Sequence, residues 1–175
     1  AVRYNWRGRT GVALLASCTV EVVKPFLLVE GARRGLRFTI WCGPYGQIEQ
    51  QVLDAGSELY AFKPDVVFVL PRLEDWAGES LQSFATDREA LRLSLVQRSQ
   101  QVAQALRRHS AASLLWSAYA TPRLPGVEGA PGLFGAGSLA AFATVLNGET
   151  AAAMETVPDA RLFDLPAVVA RCGAK

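Results

Sequence analysis

Few side chains in this sequence could do chemistry, and the first to weigh are Ser17, Cys18 and Thr19. They close an apolar run and stand before a helical pattern that begins near Val23. Backbone N–H groups at a helix start favour an anion or a developing oxyanion, and they would lower a thiol pKa. Cys18 is therefore the candidate nucleophile, with Ser17 beside it. The plainer alternative makes Cys18 a small buried hydrophobe and Thr19 an N-cap. Either nucleophile needs a base, and none lies nearby in sequence. The one imidazole, His109, follows Arg107 and Arg108 at the end of a long helical pattern. A cation suits a helix C-terminus, and in a doubly wound sheet that junction lies opposite the ligand crevice. A Cys/His or Ser/His pair is not expected.

The second cluster is Trp41-Cys-Gly-Pro-Tyr-Gly-Gln47, a Gly/Pro turn between an apolar run and the helical pattern of Ile48–Leu53. Turns at the carboxyl ends of strands are where open α/β sheets bind ligands. Gly43, Pro44, Tyr45 and Gln47 are candidate binding residues on that ground, offering a backbone donor and a ring. Equally, the segment is a tight turn with Tyr45 packed on a neighbour, and both readings stay open. Glu74, Asp75 and Glu79 could supply a general base or hold Mg²⁺, or form a solvated loop face. Cys42 and Cys172 are far apart and no CxxC or HxxxH occurs, so no metal or other cofactor is expected in this chain.

These residues must be positioned by a framework, and the chain has the material for one. It has 175 residues, half of them hydrophobic, enough to bury a real core as a single domain over 1–175. Lys+Arg 18 against Asp+Glu 16 is too balanced to imply nucleic acid or an anionic membrane surface. No apolar run approaches the roughly 20 residues of a membrane span, and the first ten residues lack a signal-peptide core. Three widely spaced cysteines read as reduced thiols. A soluble cytoplasmic location is the expectation.

Five apolar runs read as strands: 12–16, 37–41, 65–70, 113–118 and 161–164. The unbroken run Val66–Leu70 suits a strand covered on both faces, the habit of parallel sheets. Helical patterns fall between them, over 25–34, 48–53, 88–108 and 138–146. The alternation predicts a three-layer α/β/α fold with a doubly wound, mostly parallel five-stranded sheet, flavodoxin-like in type. Residues 1–10 read as an irregular N-terminal segment. The Gly/Pro-rich stretch 121–137 reads as a long irregular loop. Ser17, Cys18, Gly43 and Tyr45 are expected to share a crevice at the ends of the first two strands.

Val12–Thr19, Trp41–Gln47, Glu49-Gln50, Leu53-Asp54 and above all Leu59-Tyr-Ala-Phe-Lys-Pro-Asp-Val-Val67 give the chain a resemblance. It resembles the SGNH-type (GDSL) hydrolase fold. More narrowly, it is similar to the amino-terminal domain of FkbH-like proteins, HAD-superfamily enzymes of polyketide assembly. Pro122, Pro125, Asn147 and Asp164 extend the likeness over most of the chain. The resemblance implies a glyceryl transferase that loads a glyceryl unit through a cysteine thioester onto an acyl carrier protein. Phosphate chemistry would belong to a HAD domain with Mg²⁺, and its Asp-x-Asp-x-Thr motif does not occur here.

Against the hydrolase pattern, Ala16-Ser17-Cys18 stands for the nucleophile block and Gly43 for an oxyanion glycine. Pro71-Arg72-Leu73 replaces the oxyanion asparagine, and the closing Asp-x-x-His block is missing, with Ala167 three residues after Asp164. Loss of a base and an oxyanion donor removes several kcal/mol of transition-state stabilisation. The resemblance therefore implies a non-hydrolytic domain, inactive alone, that docks or positions substrate for a HAD domain and an acyl carrier protein. Arg33, Arg34, Arg37 and Arg72 are candidate contacts to the acidic carrier. The alternatives are an esterase or acyltransferase using Cys18 or Ser17, and a scaffold domain without a ligand.

Overall fold

The computed structural model describes residues 9–81, 87–121 and 137–173. The irregular N-terminal segment before residue 9 and the long loop, apart from its ends, lie outside the described residues, as does the side chain of Cys172. Five strands form one sheet: β1 (Arg9–Ala16), β2 (Arg37–Cys42), β3 (Val66–Leu70), β4 (Ser113–Ser117) and β5 (Ala160–Phe163). Their order is β2-β1-β3-β4-β5 and every pairing is parallel. The helices are α1 (Lys24–Arg33), α2 (Ile48–Leu53), α3 (Glu58–Phe62), α4 (Leu73–Ala77), α5 (Arg88–His109), α6 (Leu139–Glu155) and α7 (Leu165–Gly173).

Strand residues alternate between two faces, and the two faces collect different helices. On what we call the back, Ala13, Leu15, Val67, Val69, Leu114 and Trp116 join one buried cluster with residues of α2 to α6. On the front, Val12, Leu14, Ala16 and Ile40 form a second, smaller cluster with Val20, against which Leu27 of α1 packs. Gly31 is what lets α1 lie so close to β2, because a Cβ there would stand 2.7 Å from the Phe38 ring.

Most element boundaries follow the apolar runs. Three differences have physical causes. β1 begins at Arg9 rather than Val12 because Arg9, Thr10 and Gly11 pair with Arg37, Phe38 and Thr39. α6 does not stop near Leu146; Asn147 and Gly148 look like a C-cap but are carried through the helix, which has Thr150 fully buried. α4 and α7 were hidden by the short length of one and by Pro166 in the first turn of the other.

Candidate functional site

Strand order locates the site. From β1 the chain leaves by the front through α1, whereas from β3 it leaves by the back through α4 and α5. The connections therefore diverge between β1 and β3, and the crevice opens there. The expected crevice between β1 and β2 is displaced by one strand.

Two loops meet across that switch point. Ser17, 6% exposed, ends β1, and Arg72 and Asp75 follow β3. The Ser17 hydroxyl donates to Asp75 Oδ2 at 2.9 Å and accepts from the Arg72 backbone N–H at 2.8 Å. Ser17 N–H in turn donates to the Leu70 carbonyl at 3.3 Å. The guanidinium of Arg72 pairs with Glu74 at 2.6 Å and with Asp75 at 3.4 Å. Ser17 is thus the hub of a cross-loop clamp, with its donor and one acceptor position already used.

Cys18, the next residue, turns into a cleft of 810 Å³ on the front of the sheet. The floor is apolar, with Leu14, Ile40, Phe68 and Phe163, and α1 and α7 supply walls through Leu27 and Val168. Phe68 and Phe163 meet edge to face, ring centres 5.9 Å apart. Thr19, Arg72 and Glu74 border the same cleft near Cys18. Burial pushes the Cys18 thiol above its ordinary value. Arg72 opposes the shift, and Asp75, Glu74 and Glu21 add to it. The expected lowering by a helix start fails for a local reason: Cys18 is followed by a short 3₁₀ turn, Glu21–Val23, not directly by the helix. Nor does Thr19 cap it, since neither the turn nor α1 has a side-chain cap.

The turn at Trp41–Gln47 is placed apart from this cleft. Gly43, Pro44, Tyr45 and Gln47 do not border it. Gly43 N–H donates to the Leu14 carbonyl at 2.8 Å, and Gly46 N–H to the Ala16 carbonyl at 3.1 Å, so these donors tie the turn to β1. Glycine is needed at 43 for packing: a Cβ would stand 2.6 Å from a methyl of Leu15. Tyr45 projects outward, 65% exposed. His109 sits at the amino-terminal end of β4, edge to face with Tyr60 at 5.3 Å, far along the sheet from Cys18.

Two features of the site have no local sequence signal: the pairing of Asp75 with Ser17, and Ser117. Asp75 is 58 residues from Ser17. Ser117 ends β4 with 1% exposure, and its hydroxyl has no hydrogen-bond partner among the described residues. Ser117 pairs in register with Phe163, so both side chains rise from the same rung onto the front face and border the cleft. Of the arginines considered for partner contact, Arg33 and Arg34 pair with Glu30 on the surface of α1, and Arg72 is held by Glu74 and Asp75. Among the described residues no group of three or more His, Cys, Asp or Glu could hold a metal ion, and no helix is long and apolar enough to cross a membrane.

Residues 11–118 match the model of a family described as FkbH, N-terminal domain. No curated protein matches the sequence. Among solved structures, the fold is similar to the N-terminal part of the protein BF1531 from Bacteroides fragilis, which contains a phosphatase domain and was crystallised with Mg. The TM-score is 0.70 at 20% identity, covering 94% of this chain and 43% of that one. The present chain thus spans less than half of that protein's length.

Proposed function

Since the chain belongs to the FkbH N-terminal domain family, we propose that it is the non-hydrolytic domain of a glyceryl-transferring enzyme. Its role there is to dock or position substrate for a HAD-type phosphatase domain and an acyl carrier protein, in polyketide assembly within the cytoplasm. The observation that carries this reading is the state of Ser17. In a hydrolase of this architecture the serine at the end of β1 is activated by an imidazole and is free to attack. Here its hydroxyl is held between the Asp75 carboxylate and the Arg72 N–H in a part-buried clamp, and the single imidazole of the chain is engaged with Tyr60, away from it. Cys18 is reachable from the cleft, but a thiol raised by burial is a poor nucleophile near neutral pH.

The phosphatase domain of the structural neighbour supports a partner of that kind. Mg²⁺ would belong to that partner, because the described residues of this chain offer no cluster to hold it. The clamp would serve a positioning role by fixing the β1 and β3 loops relative to each other, where the crevice opens.

The test is a reconstituted loading reaction followed by intact mass of the carrier protein, with the phosphatase-type domain supplied with and without this chain. Loading is expected only when both are present. Equal loading without this chain would sink the positioning role. Turnover of a chromogenic short-chain ester by this chain alone, lost in Ser17→Ala or Cys18→Ala, would replace it with a hydrolase.

A further inference from the structure

The cleft on the front of the sheet has the wrong chemistry for a glyceryl unit. A small triol-derived group would need several polar partners, yet the floor is Val12, Leu14, Ile40, Phe68, Leu70 and Phe163. At 810 Å³ the cavity is within the range of roughly 300–1,000 Å³ that holds an organic ligand. Its polar atoms are gathered at one end, over the last rung of the sheet, where Ser117 stands beside the loop of Cys18 and Arg72. An apolar cleft with its polarity at one end fits a molecule with an apolar body and one polar head.

Two observations specify the head. The first is the Ser117 hydroxyl, buried and without a partner among the described residues, on the strand face that forms the floor. A buried hydroxyl left unbonded is costly, and a ligand acceptor over the last rung would satisfy it. The second is charge. Among the described residues lining the cleft the one cation is Arg72, which faces Glu74 and Asp75; Glu21 also acts on Cys18, with Lys24 opposing it at neighbouring Cys42. Arg72 is therefore already paired with two carboxylates, and a free carboxylate or phosphate at that end would meet Glu74 and Asp75 with no unpaired cation among the described lining residues. The head that fits is a neutral carbonyl.

We propose that this cleft is a binding site for a neutral aliphatic acyl compound, an ester or thioester. Its chain would lie along Leu14, Phe68 and Phe163, and its carbonyl would accept from the Ser117 hydroxyl. The site is independent of the docking role, since it requires neither a carrier protein nor a phosphatase domain. It involves binding only, with no bond made or broken.

The experiment titrates the isotope-labelled chain with three probes and follows backbone amides by NMR. The probes are decanoyl-N-acetylcysteamine, which is a neutral thioester, decanoate and glycerol. The thioester is expected to saturate and to move the amides of Phe68, Ser117, Ala118 and Phe163. Decanoate should bind about tenfold or more weaker because of the carboxylate surplus, and glycerol should move nothing. In Ser117→Ala the thioester should bind about fivefold more weakly, the worth of one hydrogen bond. Leu27→Trp, which narrows the cleft from α1, should abolish binding and gives an answer even if Ser117→Ala folds poorly. Three results would overturn the proposal: no shifts at those amides, decanoate binding as tightly as the thioester, or a Leu27→Trp chain that binds as before. Because the carrier-loading reaction is absent from this titration, either idea can fail without the other.

Discussion

On the back of the sheet, Ala13, Leu15, Val67, Val69, Leu114 and Trp116 are each at most 1% exposed, whereas on the front Phe38, Phe68, Leu70 and Phe163 are only partly buried. The same strands supply both sets, so the contrast comes from what lies over them. Five helices close the back, and Trp76 packs edge to face on Trp116 with ring centres 5.6 Å apart. α1 and α7 leave the front open along the cleft, and α1 turns apolar surface outward, with Phe26 74% exposed. Packing is complete on the back and leaves a cleft on the front.

The most direct way to break this contrast is a pair of truncations. Leu106→Ala removes a fully buried side chain of α5 from the back and should cost about 2–5 kcal/mol. Leu27→Ala removes a half-buried wall of the cleft and should cost about 1 kcal/mol or less, because no closed cavity is created. Urea unfolding of both variants decides it. Equal losses would mean that the two faces are packed alike.

A second truncation sharpens the contrast at the end of β4. The side chain of Asn147 accepts from Tyr119 N–H at 2.7 Å and donates to the Tyr119 carbonyl at 2.9 Å. That double bond fixes the strand exit to α6, just beyond Ser117. Asn147→Ala leaves two backbone groups unpaired beside a fully buried Tyr119 and should cost about 2 kcal/mol. Asn147→Asp should also lose stability, since it keeps the acceptor and forfeits the donor. A thermally unchanged Asn147→Ala chain would show that the exit is held by packing alone.

The third effect is smaller and depends on pH. Arg98 grips Glu49 through two bonds of 2.8 Å, donates to the Trp76 carbonyl at 2.6 Å and lies 4.0 Å from the Trp76 ring centre. Its hydrogen bond holds the Glu49 carboxyl below the ordinary value. A depressed carboxyl stabilises the fold above its unfolded pKa of roughly 4.3, and that contribution is lost as pH falls through the folded value. Arg98→Met should cost about 1–2 kcal/mol at neutral pH, since both partners are partly exposed. It should also flatten the fall in stability on acidification. An unaltered acid limb would assign that limb to other carboxylates.

How much of this was legible in the sequence follows from the range of each interaction. Val66–Leu70 declared a covered parallel strand because its signal is local composition, and the five runs together declared the sheet. The strand order was not declared, and with it went the position of the crevice: Gly43 neighbours β1 as expected, but on the side where the connections do not part. For the Gly43 turn the sequence leaves a ligand donor and a plain tight turn equally open; the structure spends its N–H on Leu14 and its missing Cβ on Leu15. Ser17–Asp75 spans 58 positions with no periodicity to betray it. Ser117 carries no signal of its own within the run 113–118, and only the register that sets it beside Phe163 shows which face its hydroxyl joins.

The smallest expected effect bears on the edge where the two loops meet, and it is read as a rate rather than as stability. Burial raises the Cys18 thiol, Arg72 is the influence that lowers it, and Asp75, Glu74 and Glu21 raise it further. The alkylation rate of Cys18 should therefore rise with pH along a curve centred above the roughly 8.5 of a free thiol. Removing the cation with Arg72→Leu should move the curve further up, because the thiolate loses its one favourable charge. Asp75→Asn should move it down by relieving repulsion, while its amide oxygen can still accept from Ser17. Because a raised thiol ionises less readily in the folded chain, its contribution to stability is complete below the unfolded pKa. That contribution fades as pH rises through the folded one. Cys42 is also a free thiol and Cys172 is a third cysteine, so the rate is read by peptide mass after digestion, or in a Cys42→Ser/Cys172→Ser chain. A curve centred below that of a free thiol would reveal a partner that activates Cys18. The front cleft would then be a place of covalent chemistry as well as of binding.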